Sequence, residues 1–400
     1  MAFSIRNNVD AMFTQRSLSN TQTELSGVMQ RLSSGYRINT AADDAAGLAI
    51  AEKLSAQTRG LNQAARNAQD GVSVLQTAES AMGEATTILQ RVRELAVQAG
   101  TSTTTPEAGR SIAAEIRADF AALYDIANTR DARGEYVFAG SRSGAQPFVG
   151  SGGSVAYVGD SLARAIRVGV GQYVTDGDSG DRVFGDIPNG TGRFVARAAP
   201  ANAGSLVVGA RSLSDPSAWD GGSYVLTFTA PDTWEVRDAS NALVQTGSWA
   251  DGGTVTFRGV TLALGGTPAA GDTVTVGPSA AQSVFATIDR LATALEGAGD
   301  GPAARAAVAN VAGDTLEDLD RALERLGEVR ASIGARLQGA ESAANVLGDA
   351  SLTLTREISS LRDADMASTL SALSLQLTGL DAAQQTFAKL QGLSLFNYLR

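Results

Sequence analysis

Residues 75–99 read LQTAESAMGEATTILQRVRELAVQA, and residues 316–347 read LEDLDRALERLGEVRASIGARLQGAESAANVL. In the first, Leu75, Ala78, Met82, Ala85, Leu89, Val92, Ala96 and Ala99 follow one another at alternating steps of three and four. In the second, Leu316, Leu319, Leu323, Leu326, Arg330, Ile333, Leu337, Ala340, Ala344 and Leu347 do the same, with Arg330 the one polar member. Such alternation puts all these side chains on one seam of an α-helix, and a seam of this kind needs a partner helix. Two segments near opposite ends of a chain that each need a partner are expected to pair with each other. The reading is a mainly α protein with a β-rich insertion, elongated and multi-domain. Its long coiled-coil-like helical bundle is formed by the N- and C-terminal segments. Function is then to be sought in packing and assembly rather than in a catalytic pocket.

Composition narrows the chemistry. The 400 residues include no cysteine and no histidine. That removes disulfides, thiol nucleophiles, Cys/His zinc sites and any Ser-His-Asp triad. It also removes the side chain that normally titrates near neutrality. Lysine occurs only at Lys53 and Lys389, neither three residues after a serine, so a Ser-x-x-Lys dyad is absent too. We therefore expect no enzyme, no cofactor and no metal. The formal charge of −10 speaks against nucleic acid as a partner, which needs clustered cations. No stretch of about 18 apolar residues occurs, so no membrane insertion is expected. The start, Met1-Ala2-Phe3-Ser4-Ile5-Arg6, lacks a basic region followed by an apolar run. It is not a cleaved secretory signal, which taken alone points to the cytoplasm.

Along the chain, Leu18, Leu25, Val28 and Leu32 mark a narrow stripe on a first helix within residues 1–40, ended by Gly35. Asp43 and Asp44 stand where a new helix begins, a favourable place for negative charge. From there to Gly100 only Gly47, Gly60, Gly71 and Gly83 interrupt helical sequence. Each costs roughly 1 kcal/mol relative to alanine, so some of them should be close-approach sites. Pro106 opens a third helix reaching about Asn128, with Ile112, Ile116, Phe120, Leu123 and Ala127 on one face. Between Gly134 and Gly277 lie 26 of the 44 glycines and all three tryptophans, Trp219, Trp234 and Trp249. Tyr224–Thr229, Val255–Phe257 and Thr273–Val276 read as antiparallel strands there. Helix is expected again from about Ala281 to Gly348, with a break near 359–363. The resulting domains are a terminal helical domain (1–42 with 359–400), a helical stalk (43–140 with 281–358) and an outer β-rich insertion (141–280).

The two pairs of seams carry different expectations. Leu75, Met82, Leu89 and Val92, with Leu316, Leu319, Leu323, Leu326, Ile333 and Leu337, are expected to hold the stalk together. Each buried leucine contributes on the order of 1.5–3 kcal/mol. The outer stripes are Leu18, Leu25, Val28 and Leu32, and Met366, Leu370, Leu373, Leu377, Leu380 and Phe387, continued by Leu395 and Phe396. They are thinner, rich in Gln and Ser, and have no third helix to cover them. Two lone amphipathic helices are marginal in water. The outer pair is expected to be mobile in the monomer and to order against neighbouring subunits as an assembly interface.

Specific motifs add a resemblance. Arg31-Leu32-Ser33-Ser34-Gly35-Tyr36-Arg37-Ile38-Asn39, Ala42-Asp43-Asp44-Ala45-Ala46-Gly47-Leu48-Ala49-Ile50-Ala51, Asn67-Ala68-Gln69-Asp70-Gly71-Val72-Ser73 and Arg93-Glu94-Leu95-Ala96 closely resemble the N-terminal region of bacterial flagellin. Ser360-Leu361-Arg362-Asp363-Ala364-Asp365-Met366-Ala367 resembles the link between the C-terminal helices of that superfamily. Gly134-Glu135-Tyr136-Val137-Phe138-Ala139-Gly140-Ser141 with Pro147-Phe148, and the end Leu393-Ser394-Leu395-Phe396-Asn397-Tyr398-Leu399-Arg400, resemble the hook-associated protein 3 (FlgL) branch. The resemblance implies a structural subunit of the flagellar axial structure, exported unfolded without a cleaved signal through roughly residues 1–30. Its place would be extracellular, against the cytoplasmic reading above. It further implies a homo-oligomeric ring or helical layer touching other hook-associated proteins and flagellin, and an export chaperone on the C-terminal helix. The branch motifs point to the hook–filament junction type, with the flagellin filament subunit as the alternative.

Weaker signals have simpler readings. Asp176, Asp178 and Asp181 fail the calcium-loop spacing because Gly180 takes the third ligand position; a solvated turn is the expectation. Asn189-Gly190-Thr191 matches a glycosylation sequon, but a three-residue match carries little. A third role, a cell-surface carbohydrate-binding protein using the tryptophan-bearing β domain, requires an exposed row of Trp219, Trp234 and Trp249. Burial of the three would weaken it.

Overall fold

The structure is a computed structural model and describes residues 9–101, 105–150, 154–169 and 171–392. Its helices are α1 (Val9–Ser34), α2 (Ala45–Ala99), α3 (Pro106–Ala127), α4 (Val284–Glu296), α5 (Pro302–Arg362) and α6 (Met366–Gly392). The chain divides into two compact units, Met1–Arg66 with Ala344–Arg400, and Asn67–Ala343.

In the first unit, α1 and α6 pack against each other, bringing the two ends of the described chain side by side. Helix α1 stops at Gly35, whose backbone enters the left-handed region at φ +74° while its N–H returns to the Arg31 carbonyl (2.9 Å). Helix α2 starts at Asp44, whose Oδ1 accepts the Gly47 N–H (2.8 Å). Asp43 Oδ2 accepts the N–H groups of Thr40 (2.8 Å) and Asn39 (3.1 Å) and so closes the connecting loop. The Thr40 hydrogen bond, then that of Asn39, holds the Asp43 carboxyl below its usual range. Both carboxylates are thus spent on backbone caps. Within this unit α2 and α5 run together: Ser351 Oγ donates to Asn62 Oδ1 (2.7 Å) and Arg362 faces Glu52 (3.9 Å).

Of the helical glycines singled out by sequence, Gly47 is the tight one. A Cβ there would lie 2.4 Å from Asp44 Oδ2 and 2.9 Å from the Ile38 side chain, which is fully buried. Gly71 has only Ile166 nearby, and Gly60 and Gly83 face open space. Gly47→Ala is therefore expected to destabilise the first unit by about 1 kcal/mol although alanine is the better helix former, because it displaces the cap. A thermal melt, set beside Gly60→Ala as the stabilising control, measures this.

In the second unit the α2 seam is buried as read: Leu75, Met82, Leu89 and Val92 have no exposed surface beyond a trace. Helix α5 lies antiparallel to it, with Arg93 on Asp320 (2.8 Å) and Arg330 on Glu79 (2.7 Å). The one polar seam member thus finds a carboxylate across the interface. On α5 the expected seam is corrected in part. Leu319, Leu326, Ile333 and Ala340 are buried, whereas Leu316, Leu323 and Leu337 are half-buried at the rim. Thr315, Ala322 and Val329 take their place. The buried band is rotated because α5 also packs its Asp314–Asp318 face on the β region.

Helix does not run unbroken from Ala281, contrary to the sequence reading. Residues 281–282 form a short strand, and α4 ends before Gly297-Ala298-Gly299-Asp300-Gly301. Gly301 sits at φ +116°, and Pro302 opens α5, where its missing N–H costs nothing. Helices α3 and α4 pack together, with Arg117 of α3 paired to Asp289 and to Glu296 (2.9 Å). Phe120, Phe138, Phe148, Phe184 and Phe285 join this core through edge and tilted ring contacts at 5.4–6.2 Å.

The inserted region holds a five-stranded antiparallel sheet, in the order 243–248, 233–238, 224–230, 273–278, 194–198. A three-stranded sheet follows the order 254–257, 260–265, 207–213. Alternation along Tyr224-Val225-Leu226-Thr227-Phe228 sends Tyr224, Leu226 and Phe228 inward. Both sheets supply one core, in which Tyr224 meets Phe257 (5.7 Å). Trp234 and Trp249 are buried in that core and Trp219 packs against it. The row of exposed tryptophans that a carbohydrate site would need is absent.

Candidate assembly surface

The surface begins at a joint where two of the sequence motifs meet. Arg37 N–H and Ile38 N–H donate to the Arg362 carbonyl (2.7 and 3.4 Å), and Ala364 N–H donates to the Gly35 carbonyl (2.8 Å). The Arg37 guanidinium reaches the Leu361 carbonyl (2.7 Å). Arg362 lies over the Tyr36 ring at 4.3 Å. Asp365 then caps α6, accepting the Ala367 N–H (2.9 Å). The Gly35–Ile38 and Leu361–Asp365 stretches, far apart in sequence, form one small ladder that holds the starts of α2 and α6 together.

Beyond the joint, the outer stripes divide. On α1, Leu25 and Val28 are buried and Leu18 and Leu32 half-buried, and Glu24 accepts a hydrogen bond from Gln376 of α6 (2.9 Å). On α6, Leu373, Leu380 and Phe387 are half-buried. Met366, Leu370 and Leu377, expected on the same seam, are instead 44%, 53% and 43% exposed. The physical reason for Leu370 and Leu377 is helical geometry: at 100° per residue they lie about 40–60° to one side of the Leu373–Leu380–Phe387 line, whereas Met366 continues that line and stands at the first residue of α6. The covered band runs through buried Thr369 and half-buried Gln376 and Ala383. A two-helix contact covers only one narrow band, so the wider α6 stripe leaves a ridge in solvent. Leu395 and Phe396 fall outside the described residues.

The ridge is part of a larger imbalance. Among the described residues, eleven of the eighteen large apolar side chains that are exposed belong to the first unit. Its buried apolar residues are Leu25, Val28, Ile38 and Ala51. Isolated exposed apolar residues are ordinary, but a unit that exposes more than it buries marks an interaction surface.

Sequence reasoning missed the polar network that seats the β region on α5. Arg211, almost fully buried, reaches Asp314 (2.6 Å) and Glu317 (2.8 Å). Arg290 of α4 holds Asp318 (2.6 Å), with Arg197 at 3.4 Å. Burial pushes the Asp314 carboxyl up to about 6, against the pull of Arg211, Arg290 and Arg197. The only signal in sequence was the acidic face 314–318 beside the seam, which reads equally as solvated helix surface. The loop aspartates need the same correction. Asp176 is buried against Arg164 (3.0 Å), and Asp178 is buried against Arg336, so they are no solvated turn. The Asn189 side chain of the sequon is likewise buried, accepting the Ala280 N–H (3.0 Å). Among the described residues no cluster of potential metal ligands occurs, and no helix is long and apolar enough to cross a membrane.

Paired terminal helices, a helical body shared by both ends of the chain and an inserted β region define a structural protein rather than an enzyme. The chain belongs to the flagellin family. The bacterial flagellin N-terminal helical region matches residues 5–143 and the bacterial flagellin C-terminal helical region matches residues 316–399. Among solved structures, FlgL of Xanthomonas campestris is 35% identical with a TM-score of 0.73, covering 76% of this chain and 99% of that one. Hook-associated protein 3 of Legionella pneumophila is 28% identical with a TM-score of 0.72, covering 78% of this chain and 98% of that one. Polar flagellin C of Vibrio parahaemolyticus is 45% identical over 166 residues, which are 41% of this chain and 43% of that flagellin. The chain thus matches less than half the length of that curated relative.

Proposed function

We propose that this protein is a structural subunit of the bacterial flagellar axial structure, of the hook–filament junction type. It assembles through its paired terminal helices after export. The observation that carries the reading is the exposed apolar side of the first unit, which copies or relatives of the chain would cover. The particular branch is supported by the likeness to FlgL over 76% of this chain and 99% of the solved FlgL chain. The partners in this reading are further copies in one layer, hook-associated proteins on one face and flagellin on the other. A chaperone would hold the α6 stripe before export, and the assembled site is extracellular. Local identity to flagellins favours a second reading, the filament subunit itself.

A deletion strain viewed by electron microscopy separates the two. Hooks without filaments, with flagellin released into the medium, are expected for the junction role. Filaments that persist while lacking one component would overturn it in favour of a flagellin. Purified protein gives the same division: a flagellin extends into long filaments from seeds, and a junction protein does not.

A further inference from the structure

Asn189-Gly190 is the one Asn-Gly step in the sequence. In an unfolded chain such a step is chemically labile. The backbone nitrogen of the glycine loses its proton and attacks the asparagine Cγ, the new N–Cγ bond forms, and ammonia leaves. Water then opens the resulting succinimide to aspartate or isoaspartate. The glycine makes this fast because no side chain hinders the approach.

Here the step is built into the seat of the β region on α5. The Gly190 N–H donates to Asp318 Oδ1 (2.7 Å) in a buried setting. A hydrogen bond to a carboxylate opposes loss of that proton, since the amide anion would face a negative charge. The Asn189 side chain is fixed on both sides. Its Oδ1 accepts the Ala280 N–H (3.0 Å), and its Nδ2 donates to Gln282 Oε1 (3.3 Å). Its own backbone N–H donates to the Ala280 carbonyl (3.0 Å). Gly190 holds φ +59°, and a Cβ there would press to 2.7 Å on the Phe194 carbonyl. Glycine is thus required by the turn, and its lability comes with it.

We propose that Asn189 is a site of spontaneous deamidation which the folded protein closes through Asp318 and the unfolded protein leaves open. The product would disturb the same place. Aspartate at 189 sets a second carboxylate near Asp318, and isoaspartate adds a main-chain carbon in a turn whose Gly190–Asp318 bond has no slack. A chain altered while unfolded refolds without a properly seated β region. That such a chain waits unfolded before export rests on the function proposed above; the chemistry does not.

The test holds full-length protein at mildly alkaline pH, folded in buffer and unfolded in concentrated guanidinium, and follows residue 189 by peptide mass mapping. The native reaction must await local opening, so it is expected to be slower than the unfolded one by more than about tenfold. Equal rates in the two states overturn the proposal. Asp318→Asn keeps the shape but removes the carboxylate. It is expected to speed deamidation of the folded protein, with circular dichroism showing that the fold is retained. If folded Asp318→Asn deamidates no faster than the parent, the assignment to Asp318 is wrong. Gln282→Ala frees the Asn189 amide and also removes the Gln282 Nε2 hydrogen bond to Asp318 Oδ2 (3.1 Å), but it leaves the Asp318 carboxylate in place. It gives a second reading should Asp318→Asn fail to fold, and no acceleration there also counts against the proposal. Failure of the deletion-strain test would leave these rates unchanged, so the two readings fall separately.

Discussion

Leu370→Asp combined with Leu377→Asp is expected to leave the free subunit as stable as the parent and to abolish its assembly. Both side chains are about half exposed on α6, to one side of its contact with α1. Surface substitutions of this kind usually move folding stability by no more than about 0.5 kcal/mol. In an assembled layer the same positions would carry unpaired carboxylates into an apolar contact, at several kcal/mol each. Two such penalties exceed about 5 kcal/mol, more than a thousandfold in affinity per contact. Thermal melts of the free subunit check the first half, and motility of a deletion strain supplied with the variant checks the second. Val225→Asp, on an exposed face of the β region, should support normal motility.

The second large effect lies at the seat of the β region. Arg211→Ala is expected to cost about 3–5 kcal/mol, because it strands the buried carboxylate of Asp314. Arg211 is the strongest of the charges that hold Asp314 ionised. The sign with pH follows. The Asp314 pKa stands near 6 in the fold against 3.8 for the free side chain. Its burial therefore favours the fold at pH below the lower value, and that benefit is lost as pH rises through the higher one. Removing Arg211 widens this gap. Denaturant unfolding should show a smaller loss in mildly acid buffer than at neutral pH, and an equal loss at both would contradict the assignment.

Much of this architecture was legible because the helices obey one period. The α2 seam from Leu75 to Ala99 is buried at every position read from sequence. The αL glycine at 35 and the aspartate caps at 43 and 44 stand where local chemistry places them. The limits were equally physical. A stripe of apolar residues says that a helix has a sticky side, but not how much of it one partner covers. Leu373 and Leu377 look alike in sequence, and only the packing of α1 separates the half-buried from the exposed. Gly297–Gly301 broke a helix that periodicity alone carried through. Arg211 and Asp314 are distant in sequence, and their pairing arises only once the three-stranded sheet lies on α5. The β region offered strand propensities but no register, since its order joins strands such as 194–198 and 273–278 across long intervals.

In the assembly we propose, the apolar ridge of the paired terminal helices is open in the free subunit and covered by neighbouring subunits. Because the chain has no cysteine, single thiols can be placed at Leu370 and, as a control, at Val225. Thiol labelling of free subunits and of isolated flagella then reads the ridge directly. The Leu370→Cys thiol should react readily when free and be protected once assembled, while Val225→Cys reacts in both; equal reactivity of Leu370→Cys in the two states would contradict the account.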